Sequence, residues 1–218
     1  METMTTSIIL PFLVFFPFLG AVISYIIGRS NKGARDIWCW ILSAVIFIAS
    51  LMLIGKETVY SLRGFCGLGL SFVADGFGVI LAVLTGAIWL ITTIFSKEYM
   101  AAERNRNRYY FFVFLTLGAT MGIFLSADLF TTFIFFEIMS FTSFVLVMHD
   151  EEDFTVRSAK TYLAVAVIGG LVTLMGLFMM YQKAGTLNMT ELTAFMQSRE
   201  NPAEFYAIGV LILFGFAA

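Results

Sequence analysis

FFVFLTLGATMGIFLSADLFTTFIFFEIMSFTSFVLVMH, residues 111–149, is the stretch whose reading decides the fold. From position 109 to position 148 its only charges are Asp128 and Glu137. A single helix through that run would be about 60 Å long at ~1.5 Å per residue, against a hydrocarbon core ~30 Å thick. The run therefore folds as two spans, and its least apolar point, Ser126-Ala127-Asp128, is the expected turn. Asp128 then falls at the water boundary, and Glu137, nine residues further on, falls near mid-membrane.

A carboxylate at that depth costs roughly 3 kcal/mol on insertion scales, so such residues face a protein interior or a hydrated path and commonly carry protons or ions. Glu137 shares its helical face with Phe133, Ser140, Phe141 and Phe144, the positions that superpose at helical spacing. Ser140 is the one hydroxyl on that face. Apolar surroundings favour the neutral acid, and an approaching cation favours the carboxylate, so the group suits proton handling in either case. The alternative is a protonated Glu that bonds two helices together.

Composition places the rest. Sixty per cent hydrophobic residues, 13% charged residues and 25 Phe in 218 lie outside the range of a soluble domain. The expectation is an all-α, polytopic integral membrane protein. A net charge of −2 says little about partners because the charges sit in short loops. Cys39 and Cys66 lack metal-ligand spacing and read as unpaired. His149 ends a span and reads as an interfacial, at most supporting, residue. The amino-terminal segment has no basic stretch of the signal-peptide kind and reads as a retained first helix. No phosphate-binding loop, His/Cys metal cluster or Ser/His/Asp set is present, so neither a cofactor, a nucleic-acid partner nor a catalytic centre is expected in this chain.

Hydropathy marks further spans at about residues 8–27, 37–54, 72–95 and 159–181, the first with Pro11 and Pro17. Residues 55–70 read as a Gly-rich loop, and Asp75 as a helix-start residue. Residues 182–201 are polar, and LNMTELTAFMQ within them suits a short surface-lying amphipathic helix. A seventh apolar segment, 205–218, has fourteen residues where a span needs ~20, so the native polypeptide is expected to continue past it, with a short helix capped by another subunit as the alternative. The layout is thus six full spans and a shortened seventh. Lys and Arg in the loops divide nine to four, which puts Arg29, Arg35, Arg108, Lys160 and their neighbours in the cytoplasm and the amino terminus outside a cell membrane. The acidic loop Asp150-Glu151-Glu152-Asp153 reads as solvated, with a cation-collecting mouth as the alternative. No Lys or Arg falls at the depth of Glu137, and its buried cation is expected from outside these residues.

The segment ADLFTTFIFFEIMSFTSFVLV resembles the Glu-bearing fifth helix of the antiporter-like subunits of respiratory complex I, Mrp-type cation/proton antiporters and energy-converting membrane-bound hydrogenases. Phe136-Glu137-Ile138-Met139-Ser140 stands where that family carries aromatic-Trp-Glu-Leu/Met-hydroxyl, with Phe136 replacing the Trp. SFVADGFGVILAVLTG resembles the third helix, RYYFFVFLTLGATMGIFLSADL the fourth, and RSAKTYLAVAVIGGLVTLMGLFMMYQKAGTLNM the sixth, so the likeness runs in order over about residues 70–218. The resemblance implies a fold of about fourteen helices with inverted repeats, of which residues 1–70 would supply helices one and two and residues 71–218 an incomplete first repeat. It implies that Glu137 pairs with a Lys on helix seven, and it matches Lys160 weakly to a basic residue that precedes the family's aromatic in helix six. It implies a proton-translocating subunit, with Na⁺ as a further ion. Other membrane subunits of an NADH:quinone oxidoreductase-like, Mrp-like or hydrogenase-like complex would surround it. Two rivals remain: a non-conducting scaffold in such a complex, and an unrelated secondary cation transporter that uses Glu137 and Asp75.

Overall fold

The computed structural model describes residues 5–62, 64, 68–103, 105–198 and 203–218; Cys66 and the loop cations Arg63, Arg104 and Arg199 lie outside them. Eight helices form among these residues: α1 Ile9–Ser30, α2 Lys32–Leu51, α3 Gly76–Tyr99, α4 Arg106–Phe124, α5 Leu129–Val147, α6 Asp153–Ala184, α7 Met189–Gln197 and α8 Ala203–Ala217. Five of them (α1, α2, α3, α5 and α6) are long and apolar enough to cross a membrane. Helix α4 is more polar because it is an inner helix, packed against both α1 and α5. Its buried side carries Thr116, Gly118, Thr120 and Gly122 beside Phe114, Leu117 and Met121, small and hydroxylated residues that allow close approach between helices in lipid. The chain is a polytopic helical membrane protein, as the composition predicts.

Short polar residues set the helix starts. The Asn31 amide oxygen accepts from the Gly33 and Ala34 N–H groups ahead of α2. Asp75 accepts from Gly78 N–H at 2.6 Å ahead of α3, and Asp128 from Thr131 N–H at 2.7 Å ahead of α5. Each satisfies backbone donors that a helix cannot satisfy itself and contributes roughly 1 kcal/mol. The break in the long apolar run therefore falls at 125–128, where the sequence puts it.

Residues 70–74 differ from the sequence reading. Leu70–Ala74 is a strand, β3, not the start of a span, and it pairs antiparallel with β2, Thr58–Leu62; β1, Thr5–Thr6, pairs parallel with β2. In LSFVA the residues Leu70, Phe72 and Ala74 are buried in alternation, the period of a strand. Asp75 then ends the strand and caps α3. Val73 N–H donates to Leu125 O, Ala127 N–H to Ser71 O, Leu129 N–H to Leu187 O and Met189 N–H to Ala127 O. The hairpin, the α4–α5 turn and the α6–α7 loop are thereby stitched into one plate at a single end of the bundle. Helix α6 extends beyond the expected 159–181 at both ends and stops at Gly185, whose φ of +75° favours glycine.

Two apolar clusters make the core. One joins α1–α4, the hairpin and Phe135 of α5; the other joins Phe133 of α5 to α6, α7 and α8. Helix α5 belongs to both.

Candidate functional site

Glu137 is the ninth of the nineteen residues of α5. The α6 surface opposite it is made of the smallest residues: Gly169, Gly170, Thr173 and Gly176 are all buried. A Cβ on Gly170 would lie 2.8 Å from Glu137 Cδ and 2.9 Å from Oε2. The carboxylate therefore rests on the bare backbone of α6, in room that only a glycine leaves. It is half-buried. Among the described residues it makes no hydrogen bond or ion pair.

The same α6 stretch receives α8. A Cβ on Gly215 would lie 2.6 Å from Gly169 O, and one on Gly169 would lie 2.8 Å from the Ala218 methyl. Phe136 meets Phe216 of α8 edge-on, with ring centroids 5.1 Å apart. The end of α8 and the Glu137 carboxylate thus sit at adjacent residues of α6, a juxtaposition that follows from the small-residue run in α6 and is hidden from a reading of α5 alone.

The other residues singled out in the sequence lie apart from this corner. Ser140 is buried one turn along α5, and no hydrogen bond joins it to Glu137. Lys160 is exposed on α6, ten residues before Gly170, or about 15 Å along the helix. His149 follows α5; its carbonyl accepts from Arg108 Nη2 at 2.9 Å and its ring meets Tyr109 edge-on at 5.8 Å. Asp75 is an exposed helix cap rather than an inward carboxylate. Cys39 is buried and free.

A buried charged cluster escapes the sequence reading, which counts Arg35 and Arg106 as water-side loop cations. Arg35 is 1% exposed and Asp36 5% exposed. Arg35 Nη2 donates to Asp36 Oδ1 at 2.8 Å and Arg106 Nη2 to Asp36 Oδ2 at 3.0 Å. Arg35 Nη1 donates to Asn107 Oδ1 at 3.1 Å, and the Arg35 guanidinium lies over the Tyr110 ring, 4.7 Å from its centroid. The cluster locks α2 to α4. Its one visible sign in sequence is Arg35-Asp36 set directly before an apolar run, where an acid beside a base can be buried as a pair.

Residues 126–218 match a family described as NADH:quinone oxidoreductase/Mrp antiporter, transmembrane. A putative antiporter subunit mnhD2 of Staphylococcus epidermidis is 29% identical over 224 residues, covering 99% of this chain and 44% of its own length. A Na(+)/H(+) antiporter subunit from Alkalihalophilus pseudofirmus is 29% identical over 149 residues, 68% of this chain and 30% of its own. Among solved structures, a chain of the Mrp complex from Dietzia sp. DQ12-45-1b superposes with a TM-score of 0.79 at 21% identity, over 94% of this chain and 39% of that one. A chain of the archaeal membrane-bound sulfane sulfur reductase superposes with a TM-score of 0.83 at 18% identity, over 96% and 44%. The chain spans less than half the length of these relatives, and the structural likenesses are likenesses of fold.

Proposed function

We propose that this chain, a member of the antiporter-like membrane subunit family of complex I and Mrp complexes, moves protons, with Glu137 as the group that takes one up and gives it away. The observation that carries this reading is the seat of the Glu137 carboxylate: half-buried between α5 and α6, against Gly170, with no hydrogen bond or ion pair among the described residues. A carboxylate so placed is held charged by a cation that approaches and takes a proton when the cation withdraws. The end of α8 and Glu137 meet neighbouring residues of α6, so a cation that approaches past that corner would reach the carboxylate. Lys160, about 15 Å away along α6, is left to the membrane boundary.

Two of this chain's relatives in sequence are a Na(+)/H(+) antiporter subunit and a putative antiporter subunit, which favours exchange of Na⁺ against H⁺ over redox-driven pumping. The protein would work beside other membrane subunits in the cell membrane. The nine-to-four division of Lys and Arg supports an amino terminus on the outer face. The test is ion-gradient-driven proton movement by the full-length protein, in its complex, in sealed vesicles. Glu137→Gln abolishes exchange while the complex assembles at wild-type yield. Undiminished exchange by an assembled Glu137→Gln complex overturns the proposal.

A further inference from the structure

A cavity of about 420 Å³ opens where α1 meets the start of α4, lined by Tyr25, Asn105, Asn107, Arg108, Phe111 and Phe112. It lies at the end of the bundle that carries the larger share of Lys and Arg. Its two halves differ in chemistry: amides and a guanidinium at the mouth, three aromatic rings along the wall, with Tyr25 and Phe111 edge-on at 5.7 Å. The mouth is built rather than incidental. Asn107 is fixed by donating to Tyr25 O at 2.9 Å and accepting from the buried Arg35 Nη1 at 3.1 Å. Arg108 is held by Glu151 through Nη1 and by His149 O through Nη2, while its Nε–H is buried with no hydrogen-bond partner among the described residues. Arg29, exposed one helical turn beyond Tyr25, adds a second cation on the same face of α1.

A stripe at helical spacing leads away from this mouth along α1: Arg29, Tyr25, Val22, Phe18 and Phe15. Phe18 and Phe15 line a second, apolar cavity of about 580 Å³, whose other walls are Ile134, Phe135 and Ile138 of α5 and Leu62 and Leu70 of the β2–β3 hairpin. From Tyr25 to Phe15 is ten residues, or about 15 Å, half of a ~30 Å hydrocarbon core and hence the depth of one leaflet. An amide-lined mouth at the membrane boundary, whose guanidinium Arg108 is shared with Glu151 and beside which Arg29 is unpaired among the described residues, with an aromatic wall and an apolar cleft one leaflet deep, has the shape and polarity of a single lipid.

We infer that this groove is a binding site for one anionic phospholipid. The headgroup phosphate sits between Arg108 and Asn107 within reach of Arg29, and an acyl chain lies along the α1 stripe toward the Phe15–Phe135 cleft. The inference does not rest on proton transport by Glu137, and its test reads lipid rather than ion movement. Native mass spectrometry of the full-length protein in its complex, with phosphatidylglycerol or phosphatidylcholine added, measures retained lipid. Phosphatidylglycerol is retained in preference to phosphatidylcholine. Arg108→Gln lowers that retention roughly fivefold, about 1 kcal/mol. Glu151→Gln, which breaks the same ion pair but spares the cation, leaves retention unchanged or raises it, and so separates loss of the headgroup contact from loss of the Arg108–Glu151 tie. Three results would each overturn the site: equal retention of the two lipids, equal retention by wild type and Arg108→Gln, or retention only after neighbouring subunits are stripped away.

Discussion

Gly170 determines where the Glu137 carboxylate rests. An alanine methyl at 170 would stand 2.8 Å from Cδ and 2.9 Å from Oε2, so the acid must move by a substantial fraction of an ångström or more. Displacements of about 1 Å at a reacting group cost on the order of 100-fold in rate. Gly170→Ala is therefore expected to slow exchange by at least tenfold on that scale, with normal assembly, in the same vesicle measurement that reports Glu137→Gln. An unchanged rate would show that the carboxylate works from another position. At the other end of the bundle Asp36 sits between two guanidiniums, one of them 1% exposed. Asp36→Ala leaves both cations without that acid, a change that costs about 3–5 kcal/mol when a buried pair loses one member. The apparent Tm of the purified protein should fall by several degrees and transport should fall only in proportion to the folded fraction; an unchanged Tm would mean that the cluster contributes nothing. Of these residues, Glu137 was legible in the sequence because a lone acid in an apolar run is conspicuous. Gly170 was not, because a glycine among Val, Ile and Leu gives no sign of what it faces.

Elements were legible to the extent that their hydrophobic pattern was unmixed. The α4–α5 break was legible because the apolar run is too long for one span and Ser126-Ala127-Asp128 is its least apolar point. Asp128 is 8% exposed and accepts from both the N–H and the hydroxyl of Thr131, each at 2.7 Å. Asp128→Ala removes those bonds at a cost of roughly 1–2 kcal/mol. Faster amide hydrogen exchange confined to the first turn of α5 would be the signature, and an unchanged exchange pattern would contradict the capping role. The strands were missed because β3 is short and runs straight into α3, so its alternating pattern merges with the apolar helix that follows. The α6–α8 contact was missed for a different reason: it depends on which small residues face one another. A Cβ on Gly176 would lie 2.6 Å from Ile212 Cγ1 and 3.3 Å from Ile212 N. Gly176→Leu should push α8 outward and destabilise the α6–α8 unit by about 1–3 kcal/mol, the usual cost of overpacking. Increased proteolysis between α7 and α8 checks this, and wild-type resistance would refute the close seam.

At the scale of the molecule, the chain is two packed units that share α5. Phe135 faces the α1–α4 cluster and Phe133 the α6–α8 cluster, so Glu137, two residues beyond Phe135, stands where the second unit meets the shared helix. The plate of backbone hydrogen bonds around residues 125–129 and 187–189 fixes the two units at one end. The Arg108 contacts to Glu151 and His149 O tie α4 to the α5–α6 loop at the other. Between these fastenings, the carboxylate rests on glycine backbone rather than in a hydrogen-bonded cage. In the proposed mechanism, that arrangement leaves the charge of Glu137 to be set by what approaches it.

The most direct measurement is infrared difference spectroscopy of the full-length protein in membranes, stepped between acid and alkaline pH, wild type against Glu137→Gln. The account predicts that one component of the pH-dependent carboxylic-acid C=O band in the wild type is missing from Glu137→Gln, while the components of the other Asp and Glu residues remain. Identical difference spectra for the two proteins would show that Glu137 does not exchange a proton, and the proposed mechanism would fall with it.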